Sequence, residues 1–93
     1  PFSFGVCKKF IDEIVTGSDD EICAAMVILQ EETKLAVEPA AAATLSAVIG
    51  PLRNKLCNMK IGLLICGANI DAISYSKLIE NGYKYINNNK SLF

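Results

Sequence analysis

The sequence has no histidine among its 93 residues, and so lacks one of the two side chains from which structural zinc sites are usually built. The four cysteines do not make up for it. Cys7, Cys23, Cys57 and Cys66 lie at wide, irregular spacings with no C-x-x-C pair, which excludes the common zinc patterns, a thiol redox pair and a disulfide framework. No metal ligand is assigned. Three of the cysteines fall within apolar patterns, predicting buried thiols in a reducing compartment.

Charge is also sparse, at 20% of residues with a net charge of −1. No basic stripe exists to follow phosphates, so nucleic acid is not an expected partner. Long apolar runs are missing as well: Lys60 and Asp71 bracket the longest, well short of the roughly 20 residues of a membrane span. The opening PFSFGV has no initiator methionine, charged segment or small-residue cleavage site, so it does not read as a secretory signal and looks like a cut. These absences, with 52% hydrophobic residues, predict one soluble, cytoplasmic globular unit with no membrane partner.

What the chain does have is the run KIGLLICGANID, residues 60–71. A run apolar on both faces suggests a parallel strand covered by helices on each side, ending where α/β proteins place their ligands. Cys66 is at that end. A short helix over residues 4–10 and a short strand over 11–15 are predicted before it. Ser18 and Glu21 then form a capping box, with Asp19 and Asp20 at the positive end of a helix from Asp19 to Lys34. On that helix Ile22, Met26, Leu29 and Thr33 share a face.

After a brief apolar link, Pro39 starts a second helix, whose small residues Ala40, Ala43 and Ala47 would admit a close neighbour; Gly50 and Pro51 end it. A helical turn over residues 52–57 leads to the strand. Asp71 then caps a last helix from Ala72 to Asn81, stopped by Gly82. Residues 83–93 read as a polar, loosely held tail, leaving 1–82 as the folded part. The expected order is helix, strand, helix, helix, strand, helix: an α/β arrangement of parallel strands between helix layers. A covered sheet needs several crossovers of roughly 30 residues each, and only about two fit. The chain is therefore expected to be incomplete.

The succession VTGSDDEICAAM, EETKLAVEPAAAA and LLICGANID resembles the C-terminal part of the large domain of fold-type II pyridoxal-phosphate enzymes, in the threonine dehydratase, serine dehydratase and serine racemase group. The likeness covers nearly everything from Phe2 to Gly82. It implies a fragment of a three-layer sandwich like that of tryptophan synthase β, with pyridoxal phosphate as cofactor. In this family a serine or cysteine at the strand end meets the pyridine nitrogen, a role that falls here to Cys66. A thiol is a weak donor and cannot hold that nitrogen protonated as a carboxylate would, leaving a milder electron sink suited to elimination or racemisation at an α-carbon. Cys66 also reads simply as a small hydrophobe ending a strand.

The other candidates carry paired readings too. Gly67 and Ala68 suit a flat ring lying close by, and equally an ordinary sharp turn. Asn69 can hold that turn or touch a ligand, and in the racemase branch the matching asparagine touches a nucleotide. Glu38 resembles the family's glutamate facing the cofactor ring, though a carboxylate beside a helix N-terminus is favoured in any protein. Lys34 matches a nucleotide-contacting lysine of the racemase branch and is also an ordinary lysine at a helix C-terminus.

The family's cofactor-bonding lysine and glycine-rich phosphate loop belong to upstream motifs absent here. The resemblance therefore implies an ammonia-lyase that removes water and ammonia from L-threonine or L-serine as an intact protein, with no catalytic residue in this chain and the chain alone inactive. Expected partners are a small amino-acid substrate, the remainder of the enzyme and further copies in a homo-oligomer. Serine racemase is the alternative activity. A catalytically inert assembly fragment is the alternative class.

Overall fold

Four helices, α1 (Phe2–Phe10), α2 (Asp19–Thr33), α3 (Pro39–Ile49) and α4 (Ala72–Asn88), are followed by a 3-10 turn at Lys90–Leu92 in the computed structural model, which describes residues 1–93. Helix α2 is central. It packs against α3 and against α4, which do not pack on each other, while α1 packs on no other helix. That position explains why α2 is buried more widely than a single stripe: Cys23, Ala24, Ala25, Met26, Val27 and Leu29 are all buried. The core joins Ala25, Met26 and Leu29 to Val37, Ala41 and Ala42, with Ile65, Leu78 and Ile79 packed against it.

The helix boundaries follow from capping. Ser18 Oγ accepts from the Glu21 amide at 3.1 Å while the Ser18 amide donates to Glu21 Oε1 at 3.0 Å, so the capping box forms as expected. Lys34 closes α2 in the left-handed region, at φ 62°. Pro39 takes the first position of α3 and Gly50 its C-cap. The close approach on α3 is made by Ala41, Ala42 and Ser46, which are buried, and not by the predicted Ala40, Ala43 and Ala47.

The expected α/β sandwich is not formed: 59% of the residues are helical, and there is no strand and no sheet. A strand exists only through ladder bonds to a neighbour. Residues 60–66 find no such ladder, and beside them a single bond forms, from the Glu38 amide to the Gly67 carbonyl at 3.2 Å. Burial along the run alternates, with Leu63, Ile65 and Gly67 half-buried and Leu64 and Cys66 exposed. One face is covered, not two. Residues 11–15 are likewise irregular, and residues 50–58 form hydrogen-bonded turns, the Leu56 amide donating to the Leu52 carbonyl at 3.0 Å where the helical turn is expected.

Helix α4 does not stop at Gly82 but runs on to Asn88. Gly82 is buried on the α2 side, where a Cβ would collide with the Cys23 carbonyl and lie 2.7 Å from Val27 Cγ2. It is there because two backbones meet, and a missing side chain serves that purpose inside a helix as well as at its end. The predicted burial of the thiols also fails in part. Cys23 is buried, whereas Cys7, Cys57 and Cys66 are exposed.

Candidate functional site

The chain from α2 to α3 brings Glu38 to the end of the 60–66 run. Pro39 at the first helical position fixes the entry to α3, and Glu38, at φ −76° and ψ 161°, is still extended. Its side chain makes no capping hydrogen bond and instead lies over Gly67, with Cδ 3.0 Å from where a Gly67 Cβ would stand. No glycine here has positive φ, so Gly67 answers a need for space and not for an unusual dihedral. Glu38, Cys66 and Gly67 thus form one group.

Beyond Gly67 the backbone closes the turn by itself, the Ile70 amide donating to the Ala68 carbonyl at 2.9 Å. Ala68 and Asn69 are exposed there. Asp71 ends the turn by accepting from the Ser74 amide at 3.0 Å, and that bond holds its carboxyl below the usual carboxylate range. Lys34 stands apart from this group. Its Nζ donates to the Glu31 carbonyl at 2.9 Å, which keeps the ammonium on α2. The turn is an open surface, since neither of the two cavities is lined by Cys66.

Two tyrosines missed in the sequence lock α4 to α2 behind the turn. Tyr75 donates to Gln30 Oε1 at 2.7 Å, and Tyr83 donates to the Glu31 carboxylate. Their spacing of two helical turns puts both on one face of α4, a periodicity that was available in the sequence but hidden once Gly82 was taken as a stop. Burial pushes the Tyr75 phenol up, and the hydrogen bond to Glu31 pushes up that of Tyr83. Burial, followed by Asp20 and Asp19, raises the Cys23 thiol, making it an inert core group.

A separate cavity of about 320 Å³ is lined among others by Glu21, Ser46, Ile49, Arg53, Tyr85 and Phe93. Ser46 Oγ is buried without a hydrogen-bond partner, close to Gly17. No three histidine, cysteine or acidic side chains are grouped so as to hold a metal ion. No helix is long and apolar enough to cross a membrane.

Comparison with known proteins gives the family of the chain. The chain is 40% identical over 81 residues to phenylserine dehydratase of Ralstonia pickettii, covering 87% of this chain and 25% of that protein. It is 33% identical over 79 residues to serine racemase of Dictyostelium discoideum, covering 84% of this chain and 24% of the relative. It is 34% identical over 80 residues to L-threonine ammonia-lyase of Thermotoga maritima, covering 86% and 20%. The chain belongs to the fold-type II pyridoxal-phosphate family of amino-acid dehydratases and serine racemases. It spans a quarter or less of the length of these relatives. No family model matches the chain, and no solved structure matches it significantly.

Proposed function

We propose that this chain is the ring-nitrogen wall of a pyridoxal-phosphate-dependent ammonia-lyase acting on L-threonine or L-serine. The observation that carries the proposal is the meeting of Glu38 with the Cys66–Gly67 turn, on a chain 40% identical to a dehydratase. When bound, the cofactor supplies an electron sink for the bond being broken at the substrate α-carbon. The residues suit the flat end of such a group. Gly67 and Ala68 present little side-chain bulk beside an exposed thiol. Cys66 offers the ring nitrogen a neutral, weak hydrogen-bond partner, and Glu38, lying over Gly67, braces the turn and faces the ring. No cradle for a phosphate exists at this turn, where the adjoining helix N-terminus is capped by Asp71. The chain alone is then inactive and holds the cofactor weakly, and the remainder of a longer protein supplies the phosphate contacts and the bonding lysine.

Serine racemisation is the second reading, favoured by 33% identity to one serine racemase and 30% to another. Under either reading the exposed Phe2, Phe4, Phe10 and Ile73 are covered by the rest of the enzyme or by a further copy in a homo-oligomer. Asn69 and Lys34 are the candidates for a nucleotide contact. The test is the full-length protein, purified with pyridoxal phosphate and supplied with L-serine and L-threonine. Release of ammonia with a 2-oxo acid is expected, and D-serine would identify the racemase. A protein that binds the cofactor and forms neither product overturns the activity, and failure to bind the cofactor overturns the site.

A further inference from the structure

The cavity beside α3 shares no lining residue with the Cys66 turn, and its lining has a chemistry of its own. Glu21 and Arg53, of opposite charge, contribute to one cleft whose remaining wall includes Ile49, Tyr85 and Phe93. Neither ion is used up. Glu21 Oε1 accepts from the Ser18 amide at 3.0 Å, leaving Oε2 free of the capping box, and Arg53 Nη2 donates to the Leu92 carbonyl at 2.9 Å, one of the five donors of a guanidinium. They form no salt bridge with each other. Tyr85 and Phe93 meet edge to face with centroids 6.2 Å apart, giving the cleft an aromatic side.

We propose that this cleft binds a free α-amino acid with an apolar side chain, as a second site separate from the Cys66 turn. A carboxylate and a guanidinium in one apolar cleft match a zwitterion: Glu21 takes the ammonium, Arg53 takes the carboxylate, and the side chain lies against Ile49, Tyr85 and Phe93. A simple carboxylic acid would meet Glu21 as a repelling charge, and a simple amine would meet Arg53. The volume of about 320 Å³ is at the small end of ligand pockets and suits a small metabolite.

The probe is L-leucine, titrated calorimetrically into the full-length protein beside 4-methylpentanoate, which lacks the ammonium, and 3-methylbutylamine, which lacks the carboxylate. L-Leucine is expected to bind at least about tenfold more tightly than either analogue. Arg53→Gln, at an exposed position, should weaken L-leucine by about tenfold or more while improving 3-methylbutylamine. Glu21→Gln, which keeps the helix cap, should weaken L-leucine and improve 4-methylpentanoate. Cys66→Ala should leave L-leucine binding as it is. The proposal is overturned if L-leucine gives no binding heat, if both analogues bind equally well, or if its binding follows Cys66→Ala and ignores Arg53→Gln. The outcome is independent of the activity proposed above, because binding is read without turnover.

Discussion

The Glu38 carboxylate fills the space that a side chain on Gly67 would need, while the Glu38 amide donates to the Gly67 carbonyl at 3.2 Å. A residue ahead of α3 and a residue after the apolar run are thereby held together by two contacts at once. One contact is through backbone and indifferent to sequence. The other requires a glycine, and it sets where the acid lies relative to Cys66.

Gly67→Ala should consequently affect the cofactor more than the fold. The new methyl group meets the far end of a flexible side chain, which can swing away, so stability should fall by less than about 1 kcal/mol. The displaced Glu38 no longer braces the turn, and cofactor affinity in the full-length protein should fall by more than that. Glu38→Ala removes the obstruction, so a double-mutant cycle on unfolding and on cofactor titration should give a coupling of about 0.5–3 kcal/mol. Strict additivity would show that the two residues do not act together.

Gly82→Ala has the opposite balance. Its obstacle is the Cys23 backbone carbonyl and not a side-chain tip, so α2 and α4 must move apart. Overpacking of this kind costs about 1–3 kcal/mol, and alanine recovers up to about 1 kcal/mol through helix propensity. Net destabilisation, with a drop of about 4–8 °C in melting temperature for each kcal/mol, is expected in thermal unfolding followed by circular dichroism. A stabilised variant would mean that the helices do not touch here.

The difference between these glycines shows what the sequence could reveal. Caps are local, and Ser18 with Glu21, Pro39 and Asp71 marked three helix starts correctly because each acts within one turn of its own position. The apolar run at 60–66 was read as a doubly covered strand, yet a strand is a relation between distant segments, and here only Glu38 comes alongside. Gly82 misled for the same reason: a glycine that ends a helix and one that admits a neighbouring backbone look alike until the neighbour is known. Of the candidate residues the fold brings Glu38 and Gly67 together, whereas the exposure of Cys66 follows from one-sided cover of the run, which only the missing neighbours could decide. The Glu21–Arg53 cleft joins α2 to the turn after α3 and had no local signature.

Alkali should separate α4 from α2 at Tyr83. Its hydrogen bond to the Glu31 carboxylate raises the phenol above its ordinary value of 10.0, because ionisation would set two anions face to face. The contribution is complete below the unfolded tyrosine value and is lost as pH rises through the higher folded value. Tyr83→Phe should lower stability at neutral pH and flatten its decline above pH ~10. Spectrophotometric titration at the phenolate band should show one fewer late-ionising group in the variant.

Acid acts at the other end of the same helix. The Asp71 carboxyl lies below its ordinary value of 3.8 because the Ser74 amide donates to it. Its contribution is present above the unfolded value and is lost as pH falls through the depressed folded value. Asp71→Asn keeps an acceptor at the cap but removes the titration. Between wild type and variant, the stability difference should shrink below pH ~4 and stay constant above pH ~5. A difference independent of pH would show that the Ser74 bond does not discriminate between the two protonation states.

The last prediction concerns Cys66 in the full-length protein, where three substitutions separate its possible roles. Serine replaces one weak, neutral hydrogen-bonding group by another of similar size, so cofactor affinity and turnover should change little. Alanine removes the polar atom and should weaken both. Aspartate adds a carboxylate that favours a protonated ring nitrogen and deepens the electron sink, so it should do worse than serine in elimination even where cofactor binding survives. Because Cys66 is exposed and outside the core, none of the three should alter thermal unfolding of the cofactor-free protein by more than about 0.5 kcal/mol. A thiol that only filled space would give a different order, with alanine equal to serine in turnover. That equality, measured by 2-oxo acid release at saturating cofactor, would remove Cys66 from the ring-nitrogen wall and leave Glu38 and Gly67 as a purely structural pair.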